Sequence, residues 1–376
     1  MSATKVPELG LLRAELKAAG LFEHHEARGW LKIAFLLTVV GLCMAGIAVW
    51  GFLASLVLIP IAAVFGTALA MTGHEGSHKS FSSSKARNNI VNYLAFPLFS
   101  GLSTLYWRDK HDRFHHGHPN VEGLDPDIKP WPFASSLGDH EKSPAGPKWW
   151  QRNMQSWAFW PMSTLLALGM RRSSLIHLKN YPSQRGIDRT WVVDVVCVSM
   201  HYVAWLVIPS LIWGPLAAFY VYCATWALVG TFLTLIFLPA HAGMPIMHTQ
   251  NHDWVHQIET TRNLEMPRLV SFFFIGLDRQ VEHHLFPKIP HRNLPEATRI
   301  TREFCAKHGI PYHSEPYLMA LADSARFMRS AWRTPSMDPM EVRLGLVGAA
   351  PMVLPEQAGI IGSLSESFVR PDSMTT

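Results

Sequence analysis

The sequence predicts an all-α integral membrane protein with four transmembrane helices. Two long uncharged stretches and a low charge content support this prediction: 16% of the 376 residues are charged and 48% are hydrophobic. Histidine is the compositional outlier, with 20 copies. The net charge of +5 comes without a dense Lys/Arg run, which disfavours nucleic acid as a partner and suits an anionic membrane surface.

The first uncharged stretch runs from Ile33 to Gly73. It is about twice as long as the ~20 residues that span a bilayer as one helix. Gly51 is a natural place for the chain to reverse, because glycine tolerates backbone angles that other residues avoid. We therefore predict transmembrane helices at about 31–50 and 52–72.

The second uncharged stretch covers residues 195–251. A Trp-Gly-Pro break at 213–215 divides it, so we predict transmembrane helices at about 191–212 and 216–240. Asp194 falls at the start of the third helix, where we expect the membrane interface to solvate it.

Four crossings place both termini and the segment 73–190 on one side of the membrane. That segment carries about fifteen Lys and Arg residues, while the turns near Gly51 and Gly214 carry none. The positive-inside rule therefore predicts that this segment and both termini are cytoplasmic. Two further apolar stretches, 88–106 and 155–170, contain Asn, Pro, Gly and Ser, and we expect interfacial or buried helices there.

The two ends of the chain differ from its centre. Residues 1–29 form a polar, amphipathic segment without the pattern of a cleavable signal peptide. Residues 30–332 are predicted to form one large domain, and 333–376 a loosely ordered tail with weak periodicity. The four cysteines are scattered, so their spacing indicates neither a disulfide frame nor a thiolate zinc site.

Seven histidines form three clusters on the predicted cytoplasmic side: His74 and His78; His111, His115 and His116; and His283 and His284. In the first two clusters, two histidines are four residues apart, so one helix face carries both imidazoles. Gln280 stands three and four residues before the third pair, at the spacing of a further ligand. His241 ends the fourth predicted transmembrane helix on the same side.

These clusters predict metal binding. Imidazole suits zinc, copper, iron and nickel. One zinc needs only three or four ligands, whereas seven clustered histidines and His241 exceed what one metal holds. Two redox metals match the number of nitrogens, and two irons that react with O₂ are the natural choice for an unactivated C–H bond. The sequence thus predicts a di-iron centre.

The three clusters resemble the histidine boxes of the membrane fatty-acid desaturases, most closely those of the acyl-lipid and front-end type. The strings that carry the resemblance are GHEGSH at 73–78, YWRDKHDRFHH at 106–116 and QVEHHLFP at 280–287. Front-end desaturases have glutamine in place of the first histidine of the third box, as Gln280 does here. The resemblance covers about 30–330 and marks 30–332 as the desaturase domain.

This resemblance implies a cytosolic helical cap, a tunnel for an acyl chain, and insertion of a double bond with O₂ and two electrons. The family's metal ligands would fall on His74, His78, His111, His115, His116, His241, His283 and His284. Further candidates, as ligands or as partners that orient an imidazole, are Gln280, His118, Asp125, Asp127, Glu75 and Glu282.

The partners implied are the membrane and a fatty-acyl lipid or acyl thioester. Many front-end desaturases also carry a fused cytochrome b5 domain with a His-Pro-Gly-Gly haem motif. Here only His-Pro-Asn stands at 118–120, and 1–29 is too short for that domain. We therefore expect a separate electron donor, a ferredoxin or a cytochrome b5 with its reductase. A second departure is the stretch 276–279, which lacks a histidine found in many members.

Other functions fit the same scaffold. A lipid hydroxylase, or a desaturase of another lipid, could use an identical set of boxes. A non-catalytic membrane metal-binding protein is a different class, but a transporter would place its ligands near the bilayer midplane.

Three other sets of residues invite a functional interpretation. His248, His252 and His256 mimic a ligand row by their spacing, yet we expect them at the surface. His201, inside the third helix, is expected to be neutral and bonded to a backbone carbonyl, and Trp107 to contribute packing.

Overall fold

The computed structural model describes residues 7–128, 132–249 and 253–343, and these residues are mostly helical. The α-helices are α1 Leu9–Ala18, α2 Glu26–His78, α3 Lys85–Tyr93, α4 Thr104–Trp107, α5 Leu137–Lys142, α6 Ala145–Asn153, α7 Gln155–Met162, α8 Leu166–Arg185, α9 Arg189–Tyr202, α10 Ile208–Trp213, α11 Pro215–His241, α12 Val255–Glu259, α13 Arg268–Phe274, α14 Gln280–Leu285, α15 Leu294–His308, α16 Tyr317–Ser330 and α17 Pro339–Arg343. Short 3₁₀ turns cover Ser163–Leu165, His291–Asn293 and Ala331–Arg333, and π-helical segments cover Leu94–Ser100, Arg108–His115 and Val203–Val207.

A two-stranded parallel sheet accompanies the helices. Strand β1 is Asn263–Glu265 and β2 is Ser314–Pro316, with Asn263 opposite Ser314. The sheet joins the chain before α13 to the chain before α16.

Three helical stretches among the described residues are long and apolar enough to cross a membrane: Glu26–His78, Arg189–Trp213 and Pro215–His241. Large apolar side chains lie exposed along them, including Leu53 at 77% and Leu211 at 84%. Apolar surface of this extent suits lipid rather than water. The prediction of a mostly helical membrane protein is therefore confirmed, whereas 88–106 and 155–170 are not among these stretches.

Helix α2 reverses direction at Gly51, whose φ of 70° lies outside the helical region. The rings of Phe35 and Phe65 lie 5.8 Å apart, so residues far before and far after the glycine are in contact. A Cβ atom on Gly46 would lie 2.7 Å from the side chain of Leu58, which shows how closely the two arms approach. The two arms of α2 therefore form a helical hairpin.

Helix α11 is the centre of the largest hydrophobic core, in which Trp226 is fully buried. It packs against α2 and α8. A Cβ atom on Gly230 would lie 2.7 Å from the carbonyl oxygen of Ser163, so only glycine permits this approach. This packing brings the end of α11, at His241, to the same level as the end of α2.

Asp194 is completely buried in α9, so the expectation that the membrane interface solvates it is wrong. Its carboxylate accepts hydrogen bonds from the hydroxyl of Ser103 at 2.6 Å and from the backbone N–H groups of Thr104 and Leu105, both at 3.0 Å. These donors replace water, and they fix the start of α4, which leads into the second histidine cluster.

A second hydrophobic core joins α1 to α14 and α15, with Leu12 and Leu16 completely buried. The described part of the predicted tail ends in α17, where Arg343 pairs with Asp253 and Glu259. The remainder of that tail, 344–376, lies outside the described residues.

Candidate metal centre

One group of histidines lies where α2, the π-helical segment Arg108–His115 and α14 meet. Its members each bring one ring nitrogen within 4.8 Å of the others, and they are His74, His78, His111, His116 and His283. The Nε2 atoms of His74 and His111 are 3.0 Å apart, and those of His116 and His283 are 3.2 Å apart. We call these five residues the first histidine group.

The second histidine group comprises His115, His241 and His284, with ring nitrogens again within 4.8 Å of one another. Its rings are 4.8 to 5.0 Å apart, centre to centre. The ring of His284 stacks on His116 at 4.4 Å, so the two groups adjoin. The structure thus brings all eight histidines that the sequence singled out into two neighbouring sets.

The second cluster lies on a π-helix rather than on the α-helix that its spacing suggested. The backbone N–H of His116 donates to the carbonyl of His111, five residues earlier, at 3.0 Å. In an α-helix, positions five apart would face about 140° away from each other. The wider π-turn instead lets His111 and His116 serve the first group while His115 serves the second.

Carboxylates contact two of these imidazoles through their Nδ1 atoms. His115 Nδ1 lies 3.0 Å from both carboxylate oxygens of Asp125, and His111 Nδ1 lies 3.1 Å from Asp127. A carboxylate accepts the Nδ1 proton and so leaves the Nε2 lone pair of each ring free. Asp127 also pairs with Lys110, whose pKa burial lowers to about 8.

Two further supports had not been predicted. The Nδ1–H of His284 donates to the amide oxygen of Gln257 at 3.0 Å, and the carboxylate of Asp112 lies 3.7 Å from His78 Nε2. The contact of Asp112 could have been predicted, because this residue stands next to His111 in sequence. Gln257 is 27 residues from its partner, and no sequence pattern indicates the contact between them.

Gln280 lies at the second histidine group. Its side-chain nitrogen is 3.0 Å from Nε2 of His241, and its side-chain oxygen is buried with no hydrogen-bond partner among the described residues. His118 lies apart from both groups: its Nδ1 bonds to the carbonyl of Phe114 at 3.2 Å, in an exposed position.

The two glutamates within the boxes contact other partners than the eight histidines. Glu75 accepts from Nδ1 of His291 at 2.6 Å. Glu282 accepts from Tyr312 at 2.7 Å and from Asn263 at 2.8 Å, and burial raises the pKa of its carboxyl. Each glutamate is the sequence neighbour of a clustered histidine, and neighbours on a helix point about 100° apart.

The rival histidine row does not form a ligand set. His248 is exposed and lies 3.8 Å from Asp338, while His252 falls outside the described residues. The expected surface position is wrong for His256, which is 1% exposed and donates to the carbonyl of Pro119 at 3.0 Å. Packing of α12 beneath the second cluster buries it.

Four imidazoles of the two groups are neutral bases near pH 7. Burial, followed by the repulsion of neighbouring imidazoles, lowers the pKa well below its usual value for His111, His116, His283 and His284. Neutral imidazole is the form that binds a transition metal.

The spacing of the nitrogens fits metal ions. Two nitrogens that each lie about 2.1 Å from one metal, at right angles, are about 3.0 Å apart. The Nε2 pairs at 3.0 and 3.2 Å agree with this value. His284 has its Nδ1 held by Gln257, while its buried Nε2 has no hydrogen-bond partner among the described residues. The residues present therefore suit nitrogen-ligated metals.

An apolar cavity adjoins the first histidine group. Trp107 and Phe237 line its near end. Trp107 stacks on His111 with ring centres 4.4 Å apart, and Phe237 lies 6.5 Å from the ring of His74. The cavity continues between α2, α8 and α11, and most of the side chains that line it are apolar.

The family model described as "Fatty acid desaturase" matches residues 48–316, a stretch that contains all eight histidines. The chain belongs to the fatty acid desaturase family. This membership confirms the resemblance seen in the boxes. The histidine clusters of this chain are compatible with a metal centre.

Three relatives illustrate the similarity. The chain is 27% identical to the Delta(5) fatty acid desaturase fat-4 of Caenorhabditis elegans, over 69% of this chain and 60% of the relative. It is 25% identical to the acyl-lipid (8-3)-desaturase of Rebecca salina, over 67% and 58% respectively. It is 25% identical to Delta(8)-fatty-acid desaturase 2 of Arabidopsis thaliana, over 85% and 73%. The chain thus spans less than two thirds of the first two relatives.

Proposed function

We propose that this protein is an O₂-dependent fatty-acyl desaturase that inserts a cis double bond into the acyl chain of a lipid or an acyl thioester. The observation that carries the proposal is the meeting of eight imidazoles, seven of them buried and that of His116 half-buried, with an apolar cavity in a chain of this family. The relatives from Caenorhabditis elegans and Arabidopsis thaliana are named for different double-bond positions, Delta(5) and Delta(8), so family membership leaves the position in this protein open.

In this proposal each histidine group holds one iron. The first histidine group offers five nitrogens, and the second offers three, with Gln280 beside them. When bound, the two irons supply the reductive activation of O₂ that removes two hydrogens from adjacent methylenes.

The protein's own residues prepare the site. Asp125 and Asp127 accept the Nδ1 protons of His115 and His111 and hold those rings in one orientation. Trp107 and Phe237 exclude water and restrict which methylenes lie beside the histidines. Position therefore selects the carbons that react.

We further propose four membrane crossings, two from the hairpin of α2 and one each from Arg189–Trp213 and Pro215–His241. A straight helix of 53 residues would extend about 80 Å, far beyond the ~30 Å hydrocarbon core, so the reversal at Gly51 supports two crossings. Charge distribution favours a cytoplasmic location for the boxes and both termini. Residues 30–332 would form the catalytic unit, reduced by a separate ferredoxin, or by a cytochrome b5 with its reductase.

Expression in a host without polyunsaturated lipids tests the proposal. The wild-type chain should produce new double bonds, located by mass spectrometry of fragmented lipids, and it should bind two irons. His116→Ala should abolish both, whereas His118→Ala, two residues away and outside the groups, should keep activity within about twofold. Hydroxylated products would favour a hydroxylase instead. Unchanged lipids, with iron bound and a donor supplied, would contradict acyl desaturation.

A further inference from the structure

The last residue of α11, His241, belongs to the second histidine group but has no side chain that supports its Nδ1 atom. The other two imidazoles of that group are held at Nδ1 by Asp125 and by Gln257. The Nδ1 atom of His241 is buried and forms no hydrogen bond with any described side chain, and the backbone of Thr260 lies beside the ring. The position of this imidazole therefore depends on how the end of the helix is held.

An α-helix ends with four backbone carbonyls that its own regular pattern leaves without donors. In α11 the first of the four accepts from the N–H four residues later, at 2.8 Å. The last, that of His241, accepts from the backbone N–H of Met244 and from the side-chain amide of Asn120, both at 3.1 Å. The carbonyls of Pro239 and Ala240 need donors from another part of the chain.

Arg262 supplies these two donors. Its backbone N–H donates to the carbonyl of Ala240 at 3.1 Å, and its Nε–H donates to the carbonyl of Pro239 at 2.6 Å. Its Nη2 donates to the carbonyl of Ala242, just beyond the helix, at 2.7 Å. One residue therefore bonds to the main chain on both sides of His241.

The same guanidinium is anchored to β2 and α16. Its Nη1 pairs with Glu315 and lies 3.4 Å from a carboxylate oxygen of Asp323, and its Nη2 also donates to the carbonyl of Ala320 at 3.1 Å. Arg262 is only 3% exposed. A positive charge is favourable at the C-terminal end of a helix, and the fixed fork of a guanidinium holds several acceptors at once, which a lysine ammonium cannot reproduce.

Pro239 makes the end of α11 more dependent on such outside donors. Proline has no backbone N–H, so the carbonyl of Leu235, four residues earlier, receives no hydrogen bond from within the helix. The hydroxyl of Tyr317, at the start of α16, donates to that carbonyl at 3.1 Å instead. Donors from other elements thus replace helical hydrogen bonds before and at the last turn.

We propose that Arg262 is a positioning residue for His241: it holds the last turn of α11 and so fixes this imidazole within the second histidine group. Binding of an iron by that imidazole rests on the proposed function, whereas the hold on the helix end does not. Loss of the guanidinium should loosen the last turn first and weaken metal binding at the second histidine group as a consequence.

Hydrogen exchange of the metal-free full chain in lipid nanodiscs tests the hold on the helix. The measurement is mass spectrometry of fragments that cover 236–244. In Arg262→Gln the amides of this stretch should exchange about 10-fold faster, because hydrogen bonds to a charged donor are lost, while fragments from α8 keep the wild-type rate. Arg326→Gln is the matched control and should leave the stretch unchanged, because Arg326 pairs with the same Asp323 but is exposed.

Titration with Co²⁺ alone tests the consequence for the histidines. The wild-type protein should bind two ions, one at each histidine group. Arg262→Gln should weaken one of these sites about 10- to 100-fold and leave the other, the range for loss of a group that orients a metal ligand. His241→Ala should weaken the same site. The double variant should then bind Co²⁺ no more weakly than His241→Ala alone, because the arginine acts through that imidazole.

Arg262→Lys keeps the charge but reaches fewer carbonyls, so it should lie between the wild-type protein and Arg262→Gln in both measurements. It gives the decision if the glutamine variant fails to fold. Wild-type exchange at 236–244 in the folded Arg262 variants would overturn the proposal. Equal weakening of both sites, or an effect that adds to that of His241→Ala, would do the same, since either indicates a general structural role.

The two measurements separate this proposal from the proposed function. A wild-type protein that binds only one Co²⁺ would contradict the assignment of one metal to each group, and hydrogen exchange would still decide the role of Arg262. Desaturation by the wild-type protein, together with unchanged exchange in the Arg262 variants, would contradict only the role of Arg262.

Discussion

Replacement of Asp125 by asparagine would remove one acceptor oxygen from a carboxylate whose two oxygens both accept hydrogen bonds. Oδ2 accepts from the backbone N–H of Asn120 at 2.9 Å, Oδ1 accepts from that of Asp127 at 2.8 Å, and both oxygens face His115 Nδ1 at 3.0 Å. An asparagine side chain has one oxygen, and its NH₂ group cannot accept. One buried backbone N–H must therefore lose its partner, at a cost of about 1–3 kcal/mol.

The same change weakens the support of His115. Loss of a carboxylate that orients a metal-binding imidazole reduces metal affinity about 10- to 100-fold, which corresponds to about 1.4–2.7 kcal/mol. We expect Asp125→Asn to lower the melting temperature and to lose iron from one site first, as measured by chelator titration with elemental analysis.

Asp109→Asn is the control for this prediction. Asp109 lies in the same π-helical segment but pairs with Arg185, outside the histidine groups. A surface pair of this kind contributes about 0–1 kcal/mol. Iron affinity and melting temperature in Asp125→Asn equal to those of the wild-type protein would refute the inferred role of Asp125.

Three further perturbations have defined outcomes. Gly76→Ala would place a Cβ atom 2.6 Å from the carbonyl oxygen of Asn88, so it should destabilise the fold by about 1–3 kcal/mol and lower the iron content. Gly169→Ala is the control and should have neither effect, because open space surrounds that residue. Equal melting temperatures of the two variants would contradict this prediction. Acidification should destabilise the metal-free protein. A buried histidine whose folded-state pKa lies below its unfolded-state value of ~6.5 contributes its full stability above pH ~6.5. Below that pH, the free energy of unfolding falls by about 1.4 kcal/mol per pH unit for such a histidine. Melting curves between about pH 7 and 5.5 check this, and a flat profile for the metal-free form would contradict it. Asp194→Ala should lower the free energy of unfolding in denaturant by about 3–5 kcal/mol, because the buried donors of Thr104 and its neighbours lose their acceptor. A decrease below about 1 kcal/mol would show that water replaces the carboxylate.

Sequence reasoning was most effective where local spacing determines geometry. The four-residue spacing of His74 and His78 predicts a shared helix face, and the end of the fourth predicted transmembrane helix predicts His241 at the same membrane level. All three residues lie in the two histidine groups. Gly51 was predicted as a reversal because the apolar stretch is too long for one crossing, and its φ of 70° agrees.

Contacts between distant parts of the chain could not be predicted. Glu75 bonds to His291, 216 positions away, and His284 bonds to Gln257. Arg171 and Arg172 are equivalent in sequence, yet α8 buries one and exposes the other. Such outcomes depend on which helix face meets which neighbour, and one sequence without periodic apolar residues around these positions does not specify that.

The π-helical segment Arg108–His115 also determines which kinds of sequence change the site can accommodate. A deletion of one residue before His111 would return the backbone to α-helical hydrogen bonding while His111 and His116 stay five residues apart, so the two side chains would face about 140° away from each other. No substitution elsewhere in the segment restores that angle, because the angle depends on the number of residues and not on their identity. The number of residues in this segment therefore determines whether the histidines are placed correctly. We expect libraries of single-residue deletions to be far more damaging here than libraries of conservative substitutions.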